Sequence, residues 1–349
     1  MKIAILTLTK GGIKLGLKLQ KYLKDAELYI PFKFAEEVKS PAVQTFEESM
    51  KELAGRLFRQ YDFLIFIMAA GIVVRSISPY LKSKQSDPAV IVMDEKGKNI
   101  ISLLSGHLGG ANDFTLRIAA LIHGNPVITT ASDVNGKIAV DTLSMALNCS
   151  IESYQDAASV TAHIVNGERV GLITSIPIDR HLPENIIIID SNGLSGGEYK
   201  GAIVITEKSD FKKPDCDTAV LRPRNIILGI GCRRGTSKEN ILNAIEDVLQ
   251  LHDISPLSVR HIATVDVKEN EPGLREAADA LGVSLVAVHR DNILEVEEKF
   301  QVSSFVKNAI GVGAVCEPSA LLSSKNGTLI MGKKKYAGVT IAVVREGEV

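Results

Sequence analysis

The chain has 349 residues, more than one hydrophobic core usually serves, so two or three domains are expected. Its 40 lysine and arginine residues nearly balance its 41 aspartate and glutamate residues, and aromatic residues make up only 5% of the chain, with no tryptophan. This composition argues against nucleic acid or an anionic membrane surface as a partner.

The sequence contains no segment with the length of a membrane-spanning helix. The longest apolar stretch, residues 63–74, is shorter than the roughly 20 residues that a spanning helix needs. Residues 3–8 are too short for the apolar region of a signal peptide. The four cysteines include no C-x-x-C pair, which predicts neither a zinc site nor a disulfide framework. We therefore expect a cytoplasmic protein without a metal site of its own.

Strand-like and helical runs alternate over residues 1–136, which predicts an N-terminal α/β domain with an open parallel sheet. Residues 95–98 predict a hairpin turn between two of the strands, because Gly97 tolerates a positive φ. The predicted strands are Lys2–Thr7, Glu27–Ile30, Phe63–Met68, Ala89–Met93, Ile100–Leu104 and Pro126–Thr129. The predicted helices are Ile13–Leu23, Thr45–Arg59 and Asn112–His123.

The rest of the chain predicts two further α/β regions, giving a multidomain α/β protein. Residues 137–221 form a small middle domain, and a proline- and charge-rich linker is predicted at 212–217 and again at 222–224. Residues 222–349 form a C-terminal α/β/α domain that begins with a strand at 225–230, a glycine-containing loop and an amphipathic helix at 238–251.

The stretch from Ser105 to Asn112 has the strongest functional signal, because three glycines surround one histidine between a strand and a helix. Glycine lets the main chain approach a ligand closely, and backbone amides at a helix N-terminus favour anions. Its candidate binding residues are Ser105, Gly106, Gly109, Gly110 and Asn112. His107 is a candidate acid or base, since histidine titrates near neutral pH. A tight turn with an incidental histidine is the alternative.

Other candidates in the first domain also follow predicted strands. Gly71 and Arg75 follow Phe63–Met68, and Thr130 and Asp133 follow Pro126–Thr129. Because ligands of open α/β sheets bind outside the carboxyl ends of the strands, we expect these residues and His107 to converge. The alternatives are a solvated charge for Arg75 and helix capping for Thr130 and Asp133.

The C-terminal domain contributes a second group of candidates. Gly231, Arg233, Arg234 and Gly235 resemble an interrupted dinucleotide fingerprint and instead predict a pocket for carboxylates or phosphates. Thr264 follows another strand and is a candidate binding residue. Glu317 is a candidate base, or a charge at a helix start.

Several of these segments together resemble the cobalt-precorrin-5A hydrolase family over nearly the whole chain. They are Ala69–Arg75, Ser105–Asn112, Thr129–Asp133, Gly229–Gly235 and Cys316–Ala320. The resemblance implies opening of the ring A δ-lactone of cobalt-precorrin-5A, with release of the C20 two-carbon unit as acetaldehyde, in anaerobic cobalamin biosynthesis. It implies a corrinoid substrate that brings its own cobalt, and hence no separate cofactor. In this hypothesis His107 moves the proton, and the amides of Gly109 and Gly110 stabilise the oxyanion.

Two other functions stay open from the residues alone. One is a carrier that binds corrinoid intermediates without catalysis, and the other is a nucleotide-dependent enzyme. Transient contact with precorrin methyltransferases and a homodimer are further expectations. The sequence leaves open whether His107 binds a propionate or transfers a proton.

Overall fold

The computed structural model describes residues 1–38, 40–83, 86–107, 109–130, 138–179, 182–190 and 198–347. The chain divides into two units, Met1–Thr142 and Leu143–Val349. The α/β class predicted from the sequence is confirmed, whereas the three-domain division at 136 and 221 stays a prediction.

The strands are β1 (Ile3–Thr7), β2 (Ala26–Pro31), β3 (Val43–Phe46), β4 (Phe63–Ile67), β5 (Ala89–Met93), β6 (Asn99–Leu104), β7 (Asn125–Val127), β8 (Cys149–Ile151), β9 (Val170–Thr174), β10 (Ile186–Ile188), β11 (Gly201–Ile205), β12 (Asp217–Pro223), β13 (Ile226–Cys232), β14 (Val259–Val265), β15 (Ser284–Val288), β16 (Thr328–Tyr336) and β17 (Val339–Arg345). The α-helices are α1 (Lys10–Gln20), α2 (Met50–Leu57), α3 (Ala70–Ile77), α4 (Ala111–Ile122), α5 (Val140–Ala146), α6 (Tyr154–Val165), α7 (Lys238–Leu251), α8 (Pro272–Leu281), α9 (Arg290–Leu294), α10 (Ser304–Ile310) and α11 (Cys316–Leu322). Short 3₁₀ helices lie at Phe32–Glu37, Ser78–Tyr80, Pro256–Ser258, Asp266–Lys268 and Glu297–Lys299.

The first unit is built on a sheet with the strand order β3-β2-β1-β4-β5-β6-β7. Alternate residues of β1 point to opposite faces, as the period of two in a strand requires. Ile3 and Ile5 pack in the core on the side of α1 and α4, whereas Ala4 and Leu6 pack on the side of α2 and α3. Both faces of the sheet are therefore covered, which explains why its strands are continuous apolar runs.

The predicted hairpin between β5 and β6 is confirmed, and it reverses part of the sheet. Gly97 has φ +65, and the Asp94 carboxylate accepts the amides of Lys96, Lys98 and Asn99. β6 is antiparallel to β5, and β7 is parallel to β6. The carboxyl ends of β6 and β7 consequently lie at the sheet edge opposite to those of β1, β4 and β5.

The predicted helix at Thr45–Arg59 is wrong in its first part. Val43–Phe46 forms strand β3, which extends the sheet beside β2. The helix begins only at Met50, where Ser49 and Glu52 form a capping box. Pairing with an existing strand edge supplies hydrogen bonds that local sequence cannot reveal, and this explains the error.

The second unit contains a middle sheet with the order β10-β9-β11-β12-β8. The linker predicted at 222–224 is wrong for Arg222 and Pro223, because Asp217–Pro223 is β12, which lies between β11 and β8, whereas residues 212–216 belong to no helix or strand. Arg222, which gave this stretch its polar character, is 3% exposed and pairs with Glu152. A buried and paired arginine cannot be distinguished from a solvated one by composition.

The second sheet of this unit has the order β15-β14-β13-β17-β16. Gly229 and Gly231 lie within β13 and not in the loop after it. A Cβ atom on Gly229 would come within 1.8 Å of the carbonyl oxygen of Cys316 in α11. The glycine therefore allows close packing of helix on strand.

Candidate active site

Three backbone hydrogen bonds join the loop after β6 to itself and to the start of α4. The amide of Gly110 donates to the carbonyl of His107 at 2.9 Å, and those of Ala111 and Asn112 donate to the carbonyls of Ser105 and Gly106. Gly110 has φ +78, a conformation that favours glycine. These amides cap α4 internally, so Gly110 is not available as the oxyanion donor that the sequence suggested.

The remaining small residues of the loop fix its shape. The hydroxyl of Ser105 donates to the carbonyl of Asp87 at 2.9 Å, and the Ser105 residue is buried. Gly109 lies against Ser105, where a Cβ atom would come within 2.5 Å of the serine Cβ. A Cβ atom on Gly106 would clash with the side chain of Asn112. The lack of a side chain at Gly106 and Gly109 thus permits the tight turn of this loop.

The side chain of His107 contacts a carboxylate that lies far away in the sequence. His107 Nδ1 lies 3.1 Å from Oδ1 of Asp141, and the two side chains are only 12% and 15% exposed. The same carboxylate oxygen accepts the backbone amide of Thr142 at 2.8 Å. The first turn of α5 therefore places the carboxylate of Asp141 beside His107.

Two further predicted residues lie together beside this loop. The side-chain amide of Asn112 donates to the hydroxyl of Thr130 at 3.2 Å, and Asn112 is buried. Thr130 follows β7, whose carboxyl end lies at the same sheet edge as that of β6. The convergence predicted for these strand ends is confirmed at this point. Asp133 lies outside the described residues.

Gly71 and Arg75 do not join this group, and the predicted convergence is wrong for them. They lie on α3, which follows the parallel strand β4, whereas the His107 loop follows the antiparallel strand β6. Arg75 is exposed, and its guanidinium folds back beside Gly71, where a Cβ atom would lie 3.3 Å from Nη2. The reversal of β6 places the two sets at opposite edges of the sheet.

A cavity of about 490 Å³ opens at the edge where β1, β4 and β5 end. Its lining is mainly apolar and includes Leu8, Met68 and Ile72, with Thr9 and Glu95 among the polar groups. The hydroxyl of Thr9 donates to the carboxylate of Glu95 at 2.9 Å. Ligands of doubly wound sheets bind at this kind of edge, but no histidine is among the described residues that line the cavity.

The second unit places Arg233 and Arg234 on the exposed turn after β13. The amide of Gly235 in this turn donates to the buried carboxylate of Glu271 at 2.6 Å, and Lys268 Nζ lies 2.9 Å from the same carboxylate. Burial opposes ionisation of Glu271, but these donors outweigh it and hold its pKa below the usual range. The turn thus already binds an internal anion, and its two guanidinium groups remain on the surface.

The other candidates of this unit are largely enclosed. Thr264 is fully buried, and its hydroxyl donates to the carbonyl of Ile230 at 2.8 Å. Gly231 is half-buried in β13, and its carbonyl accepts the hydroxyl of Thr340. Glu317 is 9% exposed, and its Oε1 accepts the amide of Lys333 at 3.1 Å. This contact fixes the irregular part of β16, where the register with β17 shifts.

Sequence reasoning missed Asp141, which lay beyond the predicted first domain and belonged to no motif. Its only local signal is an acidic residue in the first turn of a helix, which is common and structural.

Among the described residues, no group of three or more histidine, cysteine, aspartate or glutamate side chains is arranged to hold a metal. None of the helices in the described ranges combines the length and apolar character needed to cross a bilayer.

The fold and the site define an α/β protein with parallel-rich sheets and a histidine–carboxylate couple of the kind that moves protons in enzymes. Family models match most of the chain: Cobalamin synthesis G N-terminal at residues 52–133, Cobalamin biosynthesis central region at 138–223 and Cobalamin synthesis G C-terminus at 226–344. The chain belongs to the cobalt-precorrin-5A hydrolase family.

Two relatives agree with this assignment at the level of sequence. A cobalt-precorrin-5A hydrolase from Priestia megaterium is 35% identical and the match covers 97% of this chain and 94% of that protein. A cobalt-precorrin-5A hydrolase from Salmonella typhimurium is 34% identical over 98% of this chain and 97% of its own length. A crystal structure described as a putative cobalamin biosynthesis protein G homolog from Sulfolobus solfataricus is 24% identical, covers 99% of this chain and 97% of that one, and has a TM-score of 0.42.

Proposed function

We propose that this protein is a cobalt-precorrin-5A hydrolase of anaerobic cobalamin biosynthesis. The proposed reaction opens the ring A δ-lactone and releases the C20 two-carbon unit as acetaldehyde, which gives cobalt-precorrin-5B. Similarity to named hydrolases over nearly the full length of the chain supports this assignment. Cleavage of the carbon–carbon bond is the finer part of the proposal, and the acetaldehyde assay below tests it.

The observation that carries the chemistry is the contact of His107 with Asp141 in a tight loop beside Asn112 and Thr130. A histidine that can accept and return a proton suits both parts of the reaction. Water adds to the lactone carbonyl, and the acyl–oxygen bond breaks to leave a carboxylate on ring A and a hydroxyl on the two-carbon unit. Loss of the hydroxyl proton forms the aldehyde, while the carbon–carbon bonding pair stays with the macrocycle, which takes up a proton.

Backbone and amide groups near His107 have smaller proposed roles. Gly109 remains the proposed amide donor to the oxyanion, because the Gly110 amide is bonded to the carbonyl of His107. A donor of this kind typically contributes about 3 kcal/mol to transition-state stability. Asn112 and Thr130 form a polar pair that we assign to substrate binding.

The acetate and propionate arms of a corrinoid require cationic partners. We assign Arg233 and Arg234 to this role because both are exposed and guanidinium groups bind carboxylates through paired hydrogen bonds. Arg75 is a further candidate in the first unit. The cobalt enters as part of the substrate, and the proposal includes no additional cofactor.

The decisive experiment incubates the protein anaerobically with cobalt-precorrin-5A and measures acetaldehyde. Wild-type protein should release acetaldehyde, and H107A and H107Q should lower the single-turnover rate by about 10²- to 10⁴-fold, the usual contribution of a general acid or base. Substrate binding without acetaldehyde would indicate a carrier and contradict the proposal. Unchanged rates in both variants would remove His107 from the chemistry.

A second experiment tests the arginines separately from catalysis. R233A and R234A should raise the KM for substrate with little change in kcat, because they remove contacts made equally before and during the reaction. R59A is the matched control, since Arg59 is also exposed and has no assigned role. Equal KM values for all three variants would contradict this assignment.

A further inference from the structure

The cavity beside β1, β4 and β5 lies where the connections of the first sheet diverge. β1 pairs with β2 on one side and with β4 on the other. The chain leaves β1 through α1 toward β2, and it leaves β4 through α3 toward β5, in the opposite direction. α1 packs on one face of the sheet and α3 on the other. Such a divergence opens a crevice at the carboxyl ends of the strands, which is where open α/β sheets bind ligands.

The walls of this cavity are apolar. Leu8 follows β1 and Met68 follows β4, and Ile72 and Met93 add further apolar surface. The volume of about 490 Å³ is in the range of small-molecule sites. Ile72 belongs to the segment Ala69–Arg75, which the sequence singled out and which the His107 loop does not use. A compact apolar group therefore fits this cavity.

The carboxylate of Glu95 is held in position at the mouth of the cavity, where its side chain is exposed. The hydroxyl of Thr9 donates to its Oε2 atom at 2.9 Å, and Thr9 itself accepts the amide of Gly12 as the N-cap of α1. A Cβ atom on Gly11 would lie 2.8 Å from the same Oε2 atom. The absence of a side chain at Gly11 thus leaves the space that this carboxylate occupies.

The charged groups that line the cavity are acidic. Asp94 is the second acid of the lining, and its carboxylate accepts three amides of the hairpin turn. No lysine, arginine or histidine is among the described residues of the lining. Lys96 and Lys98 are exposed on the same turn, and Lys10 is exposed at the start of α1.

These carboxylates determine which ligands the cavity favours. An ionised carboxylate only accepts hydrogen bonds, and its two oxygens offer about four acceptor sites, of which Thr9 uses one at Glu95. A cationic donor forms a stronger hydrogen bond to a carboxylate than a neutral donor does. An anionic ligand would instead be repelled by both acids.

We propose that this cavity binds a compact apolar molecule that carries an ammonium group. The apolar body lies against Met68 and Met93, and the ammonium group donates to the carboxylate of Glu95. This site is separate from the His107 loop, because the antiparallel strand β6 carries that loop to the opposite edge of the sheet. Neither His107 nor a corrinoid takes part in this binding, so failure of the proposed hydrolysis would leave it intact.

Binding is measured by NMR of the full chain labelled with ¹³C at the methionine methyl groups, with 1-aminoadamantane as the probe. Met68 and Met93 line the cavity, whereas Met145 and Met331 lie in the second unit. Loss of a signal in M68L or M93L assigns the two cavity residues. We expect saturable shifts of these two signals with a Kd on the order of 0.1–1 mM, and no shift of Met145 or Met331. Cavity signals that stay unchanged at about 10 mM probe, or equal shifts of all methionines, would overturn the proposal.

The charge preference is tested with adamantane-1-carboxylate, which has the same apolar cage and the opposite charge. We expect it to bind at least about tenfold more weakly than the amine. E95Q keeps an acceptor for Thr9 but removes the charge, and it should weaken binding of the amine about tenfold. E47Q, which changes an exposed acid after β3, should leave the Kd unchanged. Equal binding of both probes, or an unchanged Kd in E95Q, would contradict the proposal.

The location of the site is tested by filling the cavity. I72W should abolish the shifts of Met68 and Met93, whereas V74W should retain them, because Val74 is 48% exposed on the same helix. Circular dichroism checks that both variants fold, and if I72W does not, E95Q and the pair of probes still decide the outcome. Retained shifts in a folded I72W would place the probe elsewhere and overturn the proposal.

Discussion

His261 gives the most quantitative prediction, because this histidine is buried in β14 with only 6% of its surface exposed. Its Nε2 lies 3.0 Å from the hydroxyl of Ser323. Burial, with a smaller effect of the Arg260 charge, lowers its pKa from 6.5 to about 4. The unfolded chain therefore binds a proton below pH 6.5, whereas the folded protein resists it until about pH 4.

The sign and size of the effect follow from this difference. Stability is unaffected well above pH 6.5, and it falls as the pH drops from 6.5 toward 4, because protonation favours the unfolded state. A separation of about 2.5 pH units at 1.36 kcal/mol per unit sets a limit of about 3 kcal/mol. Between pH 7 and pH 5 we expect a loss of about 2 kcal/mol from His261 alone.

The assay is urea denaturation of the full chain, followed by circular dichroism, at pH 7 and pH 5 for wild type and H261Q. Carboxylates titrate equally in both proteins, so the change in their stability difference isolates His261. We expect H261Q to gain about 2 kcal/mol relative to wild type on going to pH 5. Curves that stay parallel within about 0.5 kcal/mol would refute the reasoning.

His163 provides a matched control of opposite sign in the same unit. Its Nδ1 contacts Glu168 and its Nε2 lies 3.0 Å from Asp217, and these carboxylates raise its pKa. Its stabilising contribution is fully present below pH 6.5 and is lost as the pH rises through the folded pKa. H163Q should therefore lose stability relative to wild type at pH 5, the opposite direction to H261Q.

Other predictions concern packing and capping, and urea denaturation checks each of them. G229A should destabilise the second unit by about 3 kcal/mol or more, because its Cβ would clash with the carbonyl of Cys316, and a loss below about 1 kcal/mol would contradict this. S49A should cost the first unit about 1 kcal/mol, since it breaks the capping box with Glu52, and an unchanged midpoint would show that the box is dispensable. R222A should cost about 3 kcal/mol by leaving its buried carbonyl partners unsatisfied, and a neutral result would mean that water replaces the guanidinium.

Local patterns in the sequence were sufficient where neighbouring residues decide the structure. The runs Ala89–Met93 and Lys238–Leu251 are predicted with the bounds that the structure has. Apolar periodicity is a property of each segment by itself, and Gly97 identifies the hairpin because few other residues tolerate its φ. The glycine-rich loop around His107 was found for the same reason.

The direction of β6 could not be used to locate the site from local sequence patterns. The hairpin at Gly97 was predicted, but strand direction decides which edge each loop reaches, and the antiparallel pairing of β6 separates His107 from Arg75. The roles of Arg222 and Thr264 could not be predicted either, because they depend on burial. The surroundings of a buried side chain come from elements that meet only in the folded chain. Arg222 is paired inside the middle sheet, and Thr264 donates to a strand carbonyl.

The sequence by itself determined the α/β class, the approximate positions of most strands and helices of the first unit, and the loop that presents His107, since these depend on residues close together in the chain. The tertiary structure alone decided the partner of that histidine. Asp141 reaches His107 because α5 returns to the edge of the sheet where β6 ends, and no spacing rule relates two residues brought together by the packing of separate elements. The loop can be predicted from neighbouring residues, whereas the contact of His107 with Asp141 depends on the folded chain.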